Sequence, residues 1–156
     1  MTATVDAAAS VDADLARLAD TLGGISDGDL HRAGFGGGWT VAQVVAHITV
    51  ATTVWLGNLR RLEADPDLGF FFREEIGHDA LGYAPPTVEN ALGRLAATRR
   101  TLATCLPAMT PELLARTVEI PDLGTMTIEE WTPIITGHLT SHVEQAHDIL
   151  RNRGVL

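Results

Sequence analysis

The chain has 156 residues, 46% of them hydrophobic, and twenty Asp and Glu against eleven basic residues, all Arg, give a formal charge of −9. That length and apolar content fit a single domain with its own core and exclude disorder, and one cysteine, Cys105, excludes a disulfide framework or a cysteine-rich metal site. The acidic balance disfavours nucleic acid and anionic membranes, no stretch reaches the ~18–20 apolar residues of a membrane span, and MTATVDAAAS lacks the pattern of a secretory signal, so a cytoplasmic protein acting on a small molecule is expected.

Four segments carry helical periodicity. The first runs over about Val11–Leu22, with Leu15, Leu18 and Leu22 on one side and Gly23-Gly24 as the stop. The second starts at Thr40, which forms a T-x-x-Q capping box with Gln43 while Trp39 and Val44 are placed as a hydrophobic staple. It should continue from Val41 to Glu63 and end before Asp65-Pro66. The run Gly34-Phe35-Gly36-Gly37-Gly38 ahead of it is read as a linker or pocket rim, since the chain has no Lys with which to complete a phosphate loop.

The long connection Asp65–Pro86 holds Phe70-Phe71-Phe72, Arg73, His78 and Tyr83. Long connections in compact domains are often functional, which makes His78 and Tyr83 candidate pocket-lining residues. The third helix spans Thr87 to Leu106 with a stripe of Val88, Leu92, Leu95, Leu102 and Leu106. Cys105 adjoins that stripe, has no basic neighbour in sequence, and is read as a buried, inert thiol. Thr110-Pro111-Glu112-Leu113 reads as a short helical turn with Pro at N1. Thr117–Ile120 alternates, and Pro121-Asp122-Leu123-Gly124 suggests a small hairpin. The fourth helix repeats the design of the second, with Thr127 and Glu130 as capping box and Met126 and Trp131 as staple, and meets Gly154 after Arg153. Pro133, in its second turn, should kink or delay it. The fold class expected is all-α: one four-helix bundle over residues 1–156, in which the long second connection implies that not all neighbours run antiparallel.

The histidines then divide. At about 100° per residue, with His138 at zero, His142 falls at about 40° and Trp131, Ile135, Ile149 and Ala146 fall between about 20° and 80°. Both histidines are therefore expected on the core-facing arc of the fourth helix, while Glu144 and His147, at about 240° and 180°, are expected to face solvent. Two imidazoles at i, i+4 can reach one ion, or can be hydrogen-bonded core residues. His47 borders the apolar arc of the second helix and makes a third. Three histidines on two helices of a bundle could supply three ligands and leave a fourth position open, the pattern of catalytic rather than structural sites. His31 falls in a loop. No G-x-S-x-G elbow is present, and no catalytic residue is assigned.

The segment Gly38-Trp39-Thr40-Val41-Ala42-Gln43-Val44-Val45-Ala46-His47-Ile48 resembles the start of the second helix in the DinB-like (damage-inducible, YfiT-like) superfamily of metal-binding bundles. His138-Leu139-Thr140-Ser141-His142-Val143-Glu144-Gln145 is similar to that family's H-x-x-x-H-x-x-Q on the last helix. The resemblance spans nearly the whole chain and comes nearest to the mycothiol-dependent maleylpyruvate isomerase group. It implies a bundle in up-down-down-up order and one divalent metal ion held by His47, His138 and His142, usually Zn²⁺, with Ni²⁺ or Fe²⁺ also seen. It further implies a transferase or isomerase of a low-molecular-weight thiol such as mycothiol, and a homodimer. The isomerase group carries Glu where this chain has His138, and a further C-terminal domain contributes to its active site. Metal binding is therefore the part of the resemblance that carries over. Two other readings stay open: metal-dependent hydrolysis, and a non-catalytic metal- or small-molecule-binding stress-response module.

Overall fold

The computed structural model describes residues 3–65, 67–69, 80–120 and 123–156. Its long helices are α1 (Ala3–Leu22), α3 (Val41–Ala64), α4 (Val88–Cys105) and α6 (Ile128–Asn152), and two one-turn helices, α2 (Asp27–Leu30) and α5 (Pro111–Leu114), join them. α1 begins eight residues earlier than the periodicity suggests. Its first turns are Ala-rich, with Asp6 where it favours the helix N-terminus, so propensity extends the helix beyond its Leu stripe. α2 was not expected: Ser26 caps it through a box with Asp29.

Side-chain contacts fix the order of the helices. Thr140 donates to Asp14 at 2.8 Å, Arg17 bonds Glu144, and Thr21 meets His147 at 3.0 Å, so α1 and α6 ascend together. Asp12 pairs with Arg99, and Asp27 Oδ1 accepts from the Val88 backbone N–H, so α4 runs against α1. His47 meets His138 and Trp55 meets Trp131, so α3 runs against α6. α3 and α4 are consequently parallel, their C-terminal ends meeting where Arg60 Nη2 reaches Cys105 Sγ at 3.8 Å. This is the up-down-down-up bundle, with α1 diagonal to α3.

Local signals set the helix ends. Thr40 and Thr127 form the expected capping boxes, with Gln43 N–H to Thr40 Oγ1 at 3.1 Å and Glu130 N–H to Thr127 Oγ1 at 3.1 Å. α6 closes in a Schellman motif, Val155 N–H to Leu150 O and Gly154 N–H to Arg151 O, both at 3.0 Å, and Gly154 supplies the positive φ of 67°. Pro133 neither delays nor breaks α6, which runs from Ile128 through Asn152. Between α5 and α6, β1 (Thr117–Ile120) and β2 (Gly124–Thr127) form the hairpin, with Thr117 opposite Thr127 and Ile120 opposite Gly124. Thr127 therefore ends a strand and caps a helix at once. Thr127→Ala is expected to cost about 1 kcal/mol, read as a lower urea midpoint with an unchanged m-value.

The core is aliphatic: Leu15, Leu18, Ile48, Leu95, Leu102, Leu139 and Leu150 are fully buried, with Trp55 among them. Cys105 is half-buried rather than buried, and the parallel α3 brings it the basic neighbour Arg60 that its own sequence lacks. With Leu56, Leu59, Met109 and Leu113 it lines a cavity of about 150 Å³ at the end of the bundle away from His47. No helix among the described residues is long and apolar enough to cross a membrane.

Candidate metal centre

The Gly-rich run does not act as a loose linker. Gly36 and Gly37 take positive φ of 72° and 78°, turning the chain so that Ala33 bridges Thr40 and Gly34 N–H reaches Trp39 O at 3.2 Å. A Cβ on Gly34 would stand 3.4 Å from that carbonyl. The closed turn holds Trp39 just ahead of α3, and the Thr40 cap sets where α3 begins. Together they fix His47 in its second turn.

His47, His138 and His142 converge. His47 Nε2 and His138 Nε2 are 3.1 Å apart, and the rings of His47 and His138 lie 4.3 and 4.5 Å from that of His142. One nitrogen from each of the three lies within 4.8 Å of the others. Zn–N bonds of 2.0–2.1 Å in a tetrahedron require nitrogens about 3.3 Å apart, so small rotations of the rings would suit one ion. His142 Nδ1 donates to Gln145 Oε1 at 2.7 Å, which leaves its Nε2 lone pair free to bind. Trp39 stacks on His142, with centroids 5.7 Å apart and planes 12° from parallel, and its ring lies 5.1 Å from His47. Sequence reasoning placed Trp39 as a staple and missed this second role; its signal is that the staple position lies two helical turns from His47.

The three rings differ in burial. His47 is buried, His142 is half-buried and His138 is exposed, against the expectation that both histidines of α6 face the core. His147 departs in the other direction. It is 6% exposed, with Nδ1 donating to Val143 O at 2.9 Å and Nε2 at 3.0 Å from Thr21 Oγ1. Both corrections have one cause. α6 packs against two neighbours, α3 on the His138 side and α1 on the His147 side, so its buried arc is wide. It includes Thr132, Thr136, Val143 and Leu150, which lie between about 120° and 160° on the wheel. Its centre thus shifts to about 100°, leaving His138 and His147 at opposite edges. His31 is exposed and bonds Pro86 O at 3.0 Å. Tyr83 ends a 3-10 turn and is 69% exposed, while His78 and Phe70-Phe71-Phe72 lie outside the described residues.

Although His138 has the most open ring of the three, the protein around it pushes its pKa down from 6.5 to about 4, through desolvation first and then the charges that His142 and His47 would carry. The neutral ring is the form that binds a metal. The folded value lies below the unfolded one, so this contribution to stability is complete above about pH 6.5 and is lost as the pH falls from there through 4. The metal-free protein is therefore expected to melt at progressively lower temperature across that window in calorimetry at stepped pH, and His138→Gln should flatten the slope.

An up-down-down-up helical bundle with three histidines gathered between its second and last long helices defines a class of candidate metal-binding proteins. The DinB superfamily profile matches residues 10–146, and the chain belongs to that superfamily. YfiT from Bacillus subtilis, described as a probable metal-dependent hydrolase with an unusual four-helix bundle topology, superposes with a TM-score of 0.78 at 19% identity over 97% of this chain and 87% of that one. A point mutant of the mycothiol-dependent maleylpyruvate isomerase superposes with a TM-score of 0.72 at 11% identity over 96% of this chain and 67% of that one. At these identities the likeness is one of fold. No curated protein matches the chain significantly in sequence.

Proposed function

We propose that the protein is a metal-dependent enzyme of the cytoplasm, in which His47, His138 and His142 hold one divalent ion, Zn²⁺ before Ni²⁺ or Fe²⁺. The observation that carries this reading is the convergence of three imidazole nitrogens, one of them on a ring already oriented by Gln145. Neutral nitrogen donors suit Zn²⁺, and three of them leave a position for a fourth ligand. When bound, the ion supplies a Lewis acid that lowers the pKa of a thiol or water at that position.

The protein's own groups do the rest. Gln145 fixes the tautomer of His142, desolvation keeps His138 neutral and able to bind near pH 6, and the Trp39 indole covers one face of His142. We favour a low-molecular-weight thiol, of the mycothiol type, as co-substrate for transfer or isomerisation. Activating a water for hydrolysis calls for a general base beside it, and among the described residues no carboxylate groups with the three rings. A thiol acidified by the ion needs none. The chain's one cysteine, Cys105, lies toward the far end of α3 from His47, so a reacting thiol has to come from outside. The solved bundles described as hydrolase-like and as mycothiol-dependent fit either branch.

Melting curves with thiols, in the presence and absence of a chelator, test the choice. A thiol-induced rise in Tm that disappears with chelator is expected. Destabilisation by chelator with no thiol response would instead mark the ion as structural.

A further inference from the structure

Threonines inside these helices nearly all return their hydroxyl to the carbonyl four residues back: Thr49 to Val45 and Thr53 to Thr49 at 2.8 Å, Thr98 to Arg94 at 3.0 Å, Thr132 to Ile128 at 2.8 Å. Thr52 does not. It is 2% exposed, and its Oγ1 has no hydrogen-bond partner. One turn further along α3, Trp55 is 1% exposed and its indole Nε1 is likewise without a partner. Leaving two buried polar groups, a hydroxyl and an indole N–H, unpaired on one helix face costs free energy at both atoms, and native folds seldom do so.

The two side chains stand one turn apart on the buried face of α3. Residues at i, i+3 are surface neighbours on a helix, with Cβ atoms about 5–6 Å apart. Helical side chains lean toward the N-terminus, so the Trp55 indole lies over the turn that carries Thr52. Trp55 is held edge-to-face against Trp131 of α6 at 6.1 Å, so both donors lie inside the bundle. Thr52 is five residues beyond His47, about 7.5 Å along the helix axis.

We propose that Thr52 Oγ1 and Trp55 Nε1 form an internal binding site for one neutral, hydrogen-bond-accepting oxygen, inside the bundle below the three histidines. Trp55 Nε1 can only donate, so the occupant must accept from it, while the Thr52 hydroxyl can donate to the same oxygen. No Arg, Asp or Glu is buried among the described residues, and an anion at this depth would have no counter-charge. A carbonyl oxygen or a water fits; a carboxylate does not. The oxygen has two sources: a water enclosed in the fold, or the carbonyl of a small molecule seated at the histidines. The second source rests on the metal-site reading above; the first does not.

Atomic-resolution crystal structures of the full chain, alone and soaked with acetamide, are the test, together with the indole ¹⁵N–¹H resonance of Trp55 in solution. Density within hydrogen-bonding distance of both atoms in the protein alone identifies a water, and Thr52→Val should then lower Tm by about 2–4 °C. Thr52→Ser, which keeps the hydroxyl, should restore most of that loss. Density only after soaking, with an acetamide-dependent shift of the Trp55 resonance that Thr52→Val abolishes, identifies a carbonyl. In that case Thr52→Val raises the Tm of the free protein. Absence of density in both crystals and of any acetamide shift overturns the proposal, and so does a Trp55 shift with acetate and none with acetamide. None of these readouts requires metal, so their failure is distinguishable from failure of the metal site.

Discussion

His142→Ala is expected to leave the purified protein without stoichiometric metal after expression in metal-supplemented medium, while the parent chain carries about one ion. The three ring centroids form a triangle with sides of 4.3, 4.5 and 5.4 Å, so removing His142 takes away one of three donors that face a common centre. Gln145→Leu separates ligation from orientation. It leaves all three imidazoles in place and removes the acceptor for His142 Nδ1 at 2.7 Å. Loss of such an outer-shell partner costs about 10–100-fold in metal affinity, and His142→Ala should exceed that range. Metal analysis and chelator competition measure both, and equal retention in all three proteins would remove the basis for a three-histidine site.

Trp131→Ala should be among the most damaging single changes in the scaffold. Trp131 is 4% exposed, sits in the staple position above Met126, and meets Trp55 edge-to-face at 6.1 Å. Truncating a buried Trp costs about 3–5 kcal/mol through lost transfer energy and the cavity left behind, a large share of the 5–15 kcal/mol typical of a domain. Urea denaturation followed by circular dichroism reads it directly. A loss below 1 kcal/mol would mean that the Trp55–Trp131 contact does not hold the α3–α6 seam together. This variant also links scaffold to site, because that seam is what places His47 against His138.

How much of this was legible beforehand depended on the range of the determining interaction. Thr40, Thr127 and Gly154 act within four or five residues, so capping boxes and a Schellman stop could be read off directly and fixed where α3 begins and where α6 begins and ends. The nearness of His47 to His138 and His142 followed from which faces are apolar and from the superfamily resemblance. What failed was the detail of who packs against whom. A wheel drawn for α6 alone centres on its Leu, Ile and Trp residues and cannot know that a parallel α1 buries the opposite edge. It therefore exposed His147, which bonds Thr21 across 126 positions of sequence, and buried His138. Arg60 beside Cys105 was invisible for the same reason, since only the parallel packing of α3 and α4 brings them together. Trp39 shows a different limit: one side chain serves both as helix staple and as wall of the site, and pattern alone reveals the first duty.

X-ray absorption at the metal edge of the loaded protein tests the central claim most directly. Three imidazole nitrogens at about 2.0–2.1 Å around one Zn²⁺ are predicted, with a fourth scatterer that is oxygen or sulfur depending on whether water or thiol is present. A first shell without imidazole scattering, or one unchanged in His142→Ala, would contradict it.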